Sequence, residues 1–371
     1  MPIREIRGKS SFASACSPLA SCGCVALGAS VVKKVWLRIA VANSRMKSVN
    51  PSAPEARHPT AFGDFFEKAG MLLVLALLFL GCAIGVENFL SWQNMKGLAL
   101  AVSMTGMVAC TMLFCLAAGA FDLSIGSVVA CSGVVAALVM NKTGSITLGI
   151  LAGLGCGAVA GLINGIIVAR LQINALITTL ATMQMVRGFG YIVSDYKAIG
   201  IVREEFFLLG NSRFLGLDTP IWITIACFAL FGVILNRTVF GRDTLAIGGN
   251  AEAAYLAGIR VERVKIIIFT AQGVMAAFAG IVLASRLTSG QPNTSQGFEL
   301  DVISACVLGG VSLTGGVGRM GFVIAGVLIM GIVQNAMNLL NIAPGYQYLA
   351  RGGILLAAVL FDRWKRRQLT L

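Results

Sequence analysis

A succession of long apolar runs fills the chain from residue 70 onward and constrains its fold more than any other feature. The 371 residues are 57% hydrophobic and only 12% charged, whereas a soluble domain carries about 25% charged residues. An α-helix needs about 20 mostly apolar residues to cross a bilayer. The sequence therefore predicts an all-α, polytopic helical bundle embedded in a membrane.

The runs predict about ten transmembrane helices. They lie near residues 70–87, 95–117, 123–140, 145–169, 174–193, 220–236, 264–286, 301–314, 321–340 and 346–361. The eighth run, 301–314, is short and rich in glycine, so we expect a short or broken helix there. Such backbone is tolerated at membrane depth only where it is buried in protein or lines a cavity.

The first 60 residues differ from the rest of the chain. They hold nine Lys and Arg residues against two acids and show little periodicity. We expect residues 1–60 to form a poorly ordered N-terminal extension and residues 61–371 to form the transmembrane domain. The first 45 residues are interpreted as an over-long gene prediction or a disordered tail, with a targeting peptide as the alternative.

The distribution of positive charge predicts the orientation of the bundle. Lys and Arg concentrate in cytoplasmic loops of membrane proteins. Two basic segments, the loop 236–265 and the C-terminal DRWKRRQ (362–368), fall on one side if ten helices cross the membrane. That side is predicted to be the cytoplasm, with both termini on it.

Several kinds of chemistry are excluded by the residues that the chain lacks. Its single histidine, His58, lies in the N-terminal extension, so neither a multi-histidine metal site nor a histidine base within the membrane is possible. The phosphate-binding sequence GxxxxGK[ST] does not occur, so ATP cannot be bound by that route. We expect no catalytic residue, metal or cofactor on this chain.

A few polar residues interrupt the apolar runs. Asp122 precedes the third run and has two interpretations, a helix cap or part of a gate or transport path. Other polar residues recur at helical spacing and either bond to neighbouring helices or line a route for a hydroxyl-rich solute. The predicted translocation path consists of Asp122, Asn174, Thr178, Thr182, Asn335 and Asn338.

Three arginines lie at the predicted outer ends of the runs. Arg187, Arg286 and Arg351 are long enough for their charged heads to reach the membrane interface. The alternative is that they dock to acidic residues of a soluble protein outside the membrane, in which case the loop 195–219 could join the same surface.

The fourth run has glycine at every fourth position. Gly149, Gly153, Gly157, Gly161 and Gly165 share one helix face, which lets another helix backbone approach closely. This stripe predicts close packing, either within the subunit or with a second copy of the chain.

A polar, alanine-rich segment, residues 241–258, separates two apolar runs and is predicted to be a cytoplasmic helix. It is either a tight connection or a contact site for a soluble partner. The sequence Glu252-Ala253-Ala254, followed by Gly258, resembles the EAA-type loop of ABC transporter permeases, which contacts the ATPase subunit. Ile268 fits the longer pattern, whereas Thr270 and Ala271 replace its usual Leu-Pro.

A narrower resemblance covers the chain from about residue 63 to its end. The matching segments are FDLSIGS (121–127), INALITTLATMQMVRG (173–188), GRDTLAIGGNAEAAYLAG (241–258), IVLASRLTSGQP (281–292) and VISACVLGGVSLTGGVG (302–318). They resemble the monosaccharide ABC permeases of the ribose, galactose, xylose and arabinose group. The body is most similar to the arabinose members, including MNLLNI (337–342).

The resemblance implies a permease subunit in the bacterial inner membrane that imports a monosaccharide, with L-arabinose expected. Its implied partners are a cytoplasmic ABC ATPase that holds ATP and Mg, a periplasmic sugar-binding protein and a second copy of the chain. The residues implied in ATPase coupling are Arg242, Gly249, Asn250, Glu252, Ala253, Ala254, Ala257 and Gly258. The alternatives are another sugar, such as ribose, xylose or galactose, and an ion-coupled secondary sugar transporter.

Overall fold

The computed structural model describes the backbone of residues 61–369 and the side chains of residues 70–360. The N-terminal extension predicted for residues 1–60 lies outside the described part. The described residues form thirteen α-helices, one 3₁₀ turn and four two-residue strands.

The helices follow the predicted runs closely. Their bounds are α1 Ala61–Gly85, α2 Trp92–Ala117, α3 Ile125–Thr143, α4 Ile146–Ala169, α5 Ala175–Val193, α6 Leu208–Asn211, α7 Thr219–Arg237, α8 Val239–Gly249, α9 Ala251–Leu256, α10 Val261–Arg286, α11 Phe298–Leu308, α12 Met320–Leu339 and α13 Pro344–Leu369. Each of the ten predicted runs coincides with one helix, and α6, α8 and α9 lie between runs. The predicted all-α, polytopic fold is therefore confirmed.

Six helices of the described part are long and apolar enough to cross a membrane, namely α2, α3, α4, α7, α10 and α12. The apolar part of α1, Gly70–Gly85, is shorter. The short element predicted at 301–314 is α11, which begins at Phe298 and ends at Leu308. At 1.5 Å per residue its 11 residues extend about 16 Å, roughly half of the hydrocarbon core.

The core surrounds α2, whose residues from Met107 to Ala117 are all buried. Helices α7, α10, α11 and α12 pack against it. A helix that is buried around its whole circumference must be apolar on every face, and the segment MVACTMLFCLA meets that condition apart from Thr111. The hydroxyl of Thr111 donates to the Val108 carbonyl oxygen at 3.2 Å, which satisfies the one polar side chain.

The glycine stripe of α4 packs within the subunit. A Cβ atom at Gly153 would lie 2.9 Å from the Ser132 carbonyl oxygen on α3, and one at Gly165 would lie 2.9 Å from Cα of Ile266 on α10. Between them, Gly157 and Gly161 touch the backbone of α10 at Gly273 and Phe269. The stripe therefore joins α3, α4 and α10 backbone to backbone, which settles one of the two predicted packing alternatives.

The loops at one end of the bundle contain the four short strands. β1 (Ile199–Gly200) pairs antiparallel with β4 (Ser289–Gly290), and β2 (Arg213–Phe214) pairs with β3 (Leu217–Asp218). Leu215 and Gly216 join β2 to β3 with φ of 52° and 78°, as in a two-residue hairpin turn.

Candidate functional site

The segment predicted as one cytoplasmic helix forms two helices, α8 and α9, separated by Asn250. This residue has extended backbone angles, with φ −159° and ψ 105°. Its side-chain oxygen accepts hydrogen bonds from the backbone N–H groups of Glu252 at 3.0 Å and Ala253 at 2.9 Å. Asparagine at this position caps the start of a helix, so the interruption follows from Asn250.

Gly258 has a left-handed backbone conformation, with φ of 88°. Ala257 is the C-cap residue of α9, and the N–H of Gly258 donates to the Tyr255 carbonyl oxygen at 2.9 Å. Glycine adopts this left-handed conformation without strain. It is the residue that most often occupies this position after the end of an α-helix.

The exposed surface of α8 and α9 differs from the predicted one at Ala254. Seven of the eight predicted coupling residues are exposed, namely Arg242, Gly249, Asn250, Glu252, Ala253, Ala257 and Gly258. Ala254 is only 5% exposed and packs into the core of the chain. The expectation that Ala254 allows a partner to approach is therefore corrected, because its methyl group faces inward and holds α9 against the bundle.

Two large side chains of α9 were missed by the sequence analysis. Tyr255 is 70% exposed and Leu256 is 79% exposed. Exposed residues of this size on a short helix favour contact with another protein. An adjacent aromatic and aliphatic pair in a helix too polar to be a membrane span could have revealed them.

The end of α8 is seated on two other loops. The N–H of Gly316 donates to the carbonyl oxygen of Ala117, the last residue of α2, at 2.9 Å. A Cβ atom at Gly248 would collide with both groups, and one at Gly119 would contact the Thr314 carbonyl oxygen at 3.4 Å. The loops after α2, α7 and α11, which were all predicted to face the cytoplasm, therefore meet at one end of the bundle.

Asp122 takes part in a buried hydrogen-bond chain that joins three elements. Its Oδ1 accepts from the Ser124 hydroxyl at 2.6 Å and from the Ser124 N–H at 2.9 Å. The Ser124 hydroxyl accepts from Asn164 of α4 at 3.0 Å, whose own amide oxygen accepts from the Thr182 hydroxyl of α5 at 2.6 Å. The N-cap of α3 is Ser124 rather than Asp122, so the helix-cap interpretation of Asp122 is corrected, whereas its place in a gate or transport path stays a prediction.

Burial raises the pKa of Asp122 from 3.8 to about 6, against the lowering effect of its two hydrogen bonds from Ser124. Its second oxygen, Oδ2, is buried and makes no hydrogen bond within the described residues. An unpartnered buried carboxylate oxygen favours the protonated form.

The predicted polar face of α5 is divided in two. Thr178 and Thr182 are buried, whereas Asn174 is exposed and caps the helix by accepting from the Leu176 N–H at 2.9 Å. Thr178 donates to the Asn174 carbonyl oxygen at 3.1 Å, and only Thr182 reaches another helix. Asn174 is therefore not beside Thr182, because the cap lies at the end of α5. Asn164, a lone amide within a glycine-rich run, is the missed member of this group.

The remaining path residues lie at the other end of the bundle. Asn335 exchanges two hydrogen bonds with Asn94 of α2, at 2.9 and 2.8 Å, and Asn338 accepts from Gln347 of α13 at 3.0 Å. Both border a cavity of about 170 Å³. The cavity is lined by Gly97, Ala101, Val102, Thr105, Asp301, Val327, Met330, Gly331, Gln334, Asn335 and Asn338.

Two of the three predicted docking arginines have partners within the chain. Arg187 donates to the carbonyl oxygens of Pro292 and Thr294, at 3.0 and 2.7 Å. Arg351 pairs with Asp301 at 3.2 Å, whereas Arg286 is half-buried at the end of α10. The charged groups of Arg187 and Arg351 thus have partners inside the subunit, and docking of the three arginines to a soluble protein stays a prediction.

The chain is similar in sequence to known transport permeases. A family profile described as "Branched-chain amino acid transport system / permease component" matches residues 94–359. The L-arabinose transport system permease protein AraH of Escherichia coli (strain K12) is 60% identical over 323 residues, 87% of this chain and 98% of that protein. The L-arabinose ABC transporter permease protein AraH of Azospirillum brasilense is 52% identical over 305 residues, 82% of this chain and 90% of that protein.

A relative named for a different sugar is more distant. The ribose import permease protein RbsC of Bacillus subtilis (strain 168) is 39% identical over 306 residues, 82% of this chain and 95% of that protein. No solved structure matches the chain.

Proposed function

The chain belongs to the family of branched-chain amino acid transport system permease components, and we propose that it is the membrane-spanning permease subunit of an ATP-driven importer of L-arabinose. The observation that supports this most is the 60% identity to AraH of Escherichia coli over 98% of that protein's length. Identity falls to 39% for a relative named for ribose. The decline with the change of sugar favours L-arabinose over ribose.

The ATPase partner would bind the surface formed by α9. This helix exposes Glu252, Tyr255 and Leu256 on the side away from buried Ala254. An apolar pair beside a carboxylate suits a groove that has an apolar floor and a basic rim. ATP and Mg would lie on that partner, and this chain would act as a transport subunit without an ATPase site of its own.

Movement of α9 would reach the membrane through α8. Gly248, near the end of α8, touches the loops that follow α2 and α11, so a displacement of α8 must displace both loops. A nucleotide-driven closure of the partner would in this way shift the bundle between outward-open and inward-open states, each biased by its own ligands.

A periplasmic sugar-binding protein and a second copy of the chain complete the proposed complex. Arg286 and the segment 195–219 would contact the binding protein, because Arg187 and Arg351 are engaged within the chain. A second copy would cover α5, where Gln184 is exposed in mid-helix and lipid contact would be costly. The complex would lie in the bacterial inner membrane with both termini of this chain in the cytoplasm.

An ion-coupled transporter is the alternative mechanism, and the acids of the described part argue against it. Such a transporter needs titratable groups that are free to bind and release the coupling ion. Asp301 is paired with Arg351 and Asp122 is held by Ser124. Each of these two acids therefore has one oxygen engaged within the chain, which disfavours a role in binding a coupling ion.

Uptake of labelled sugars tests the proposal. The gene, together with those for its ATPase and binding protein, would be introduced into a bacterial strain that lacks L-arabinose uptake. We expect uptake of L-arabinose that is abolished when the ATPase cannot hydrolyse ATP, and weaker competition by ribose, xylose and galactose. ATP-independent uptake would support ion coupling instead, and preferred uptake of another sugar would overturn the assignment of L-arabinose.

A further inference from the structure

The cavity between α2, α11 and α12 has the features of a ligand site. We propose that it is a binding subsite for a single neutral monosaccharide in the outward half of the permease, an inference that rests on the proposed function. Asn335 of the cavity pairs with Asn94, the third residue of α2. Gly248 of α8 contacts Ala117, at the other end of α2. The cavity is therefore remote from the proposed ATPase-coupling end.

The polar groups of the cavity match those that bind sugar hydroxyls. Gln334, Asn335 and Asn338 supply amides that both donate and accept, Thr105 supplies a hydroxyl and Asp301 supplies a carboxylate. The Oδ2 atom of Asp301 is held by Arg351, whereas Oδ1 is buried, has the Gln334 side chain nearby, and meets no donor at full hydrogen-bond geometry within the described residues. A carboxylate oxygen left without a donor is costly, and a sugar hydroxyl would satisfy it.

The charge of the cavity favours a neutral ligand. Asp301 is its only charged lining residue, and Arg351 neutralises that charge from α13 at 3.2 Å. Val102, Val327 and Met330 add apolar surface to the lining, which suits the C–H faces of a sugar ring. A charged solute would have to lose its water without finding an opposite charge, which is strongly unfavourable.

The size of the cavity fits one small sugar. A volume of about 170 Å³ holds on the order of ten water-sized spheres, and an aldopentose has about ten non-hydrogen atoms. Gly97 and Ala101 of α2 keep this space open, and a Cβ atom at Gly97 would contact nothing within 4 Å. Larger residues on this face of α2 would therefore fill the cavity without disturbing neighbouring helices.

Helix α13 closes the cavity through two polar contacts. Arg351 reaches Asp301 of α11, and Gln347 donates to Asn338 of α12 at 3.0 Å. A sugar that competes for Asp301 and Asn338 would loosen both contacts. Binding at the subsite is thereby linked to the position of α13.

Protection of an introduced cysteine from alkylation tests the subsite. Asn338→Cys and Thr105→Cys would be made separately in a cysteine-free form of the full chain, assembled with its ATPase and binding protein. We expect L-arabinose to slow the reaction of N-ethylmaleimide with either cysteine several-fold, and L-arabinonate, its charged oxidation product, to have little effect. Adding Ala101→Leu should abolish the protection by filling the cavity.

Gln93→Cys is the matched control, because this exposed amide lies on α2 outside the cavity lining. Its alkylation rate should not depend on L-arabinose. If the complex transports L-arabinose but alkylation at both 338 and 105 is equally fast with and without the sugar, the subsite is wrong while the proposed function stands. If the complex transports no L-arabinose, the proposed function fails first.

Discussion

Tyr255 and Leu256 show how two residues of a six-residue helix can determine its use. Ala254, beside them, is buried and fixes α9 to the bundle, so the next two side chains project away from it. In an interface, large apolar and aromatic side chains usually contribute most of the binding free energy. The exposed alanines of the segment, Ala253 and Ala257, would contribute mainly close approach.

Replacing both side chains tests their role in coupling. We expect Tyr255→Ser with Leu256→Ser to lower sugar-stimulated ATP hydrolysis by the assembled complex at least about tenfold, since each such contact is typically worth more than 1 kcal/mol. Pull-down of the ATPase with the permease would measure the lost affinity. Leu171→Ser, a similarly exposed change in the loop after α4 and outside α8 and α9, is the control; unaltered hydrolysis in the double variant would refute the assignment.

Asp122 is expected to make stability depend on pH. Its folded-state pKa, raised from 3.8 to about 6 by burial, means that the folded chain binds a proton more tightly than the unfolded chain does. This contribution is therefore complete below about pH 4 and is lost as the pH rises to about 6. The difference corresponds to about 3 kcal/mol at most.

Asp122→Asn removes the titrating group and keeps an oxygen for Ser124. We expect the variant to lose the part of the pH dependence between about pH 4 and 6 that the wild type shows. Thermal unfolding midpoints of the purified full-length protein across this range would measure it. Asp195→Asn, an exposed change, should leave the curve as it is. Superimposable curves for wild type and Asp122→Asn would show that Asp122 does not titrate there.

At the scale of helices, the glycine stripe of α4 brings helix backbones into direct contact. Adding a Cβ at Gly157 would force it into the Gly273 carbonyl oxygen and Cβ of Ala277, whereas one at Gly155, on the same helix, would meet nothing within 4 Å. The two glycines therefore differ in surroundings while sharing a helix and a backbone conformation.

This pair of glycines provides a matched comparison. Gly157→Ala should destabilise the protein by about 1–3 kcal/mol through overpacking, and Gly155→Ala should be neutral or stabilise it by up to about 1 kcal/mol through helix propensity. Thermal unfolding midpoints of both variants would measure the difference. Equal midpoints would mean that the α4–α10 contact is looser than described.

Most of the helices were predictable because bilayer crossing demands a long apolar run, which is a local property of sequence. The short length of α11 and the close packing of the α4 glycine stripe were predictable for similar reasons, from glycine content and spacing. The break at Asn250 was not predicted, because an asparagine within a helical pattern caps or continues a helix depending on its backbone angles. The partners of Arg187, Arg351 and Thr182 depend on which helices become neighbours, and spacing along one helix cannot supply that.

At the scale of the whole molecule, the two ends of the bundle are built differently. One end gathers glycine-rich loops around Gly248 and Gly316, and the other holds the small β pairings of residues 199–200 with 289–290. The positive-charge pattern predicted the first end to be cytoplasmic. Glu252 and Lys197 are exposed residues at opposite ends and provide a direct test of orientation.

Single cysteines at these two positions would report the orientation. In a cysteine-free chain, a membrane-impermeant maleimide should label Lys197→Cys in intact spheroplasts and Glu252→Cys only in inverted vesicles. Labelling of Glu252→Cys in intact spheroplasts would reverse the proposed topology, and with it the side on which the ATPase must bind.

The glycine stripe of α4 limits how this protein can change shape. Three helices in direct backbone contact cannot slide past one another without clashes at every fourth residue. Helices α3, α4 and α10 must therefore move as one rigid body. Any rearrangement has to take place along borders made of deformable side chains, such as those of Met330 and Val102 beside the cavity. During a transport cycle, the hinges of this chain would then lie outside the glycine contacts, at the edges of the unit formed by α3, α4 and α10.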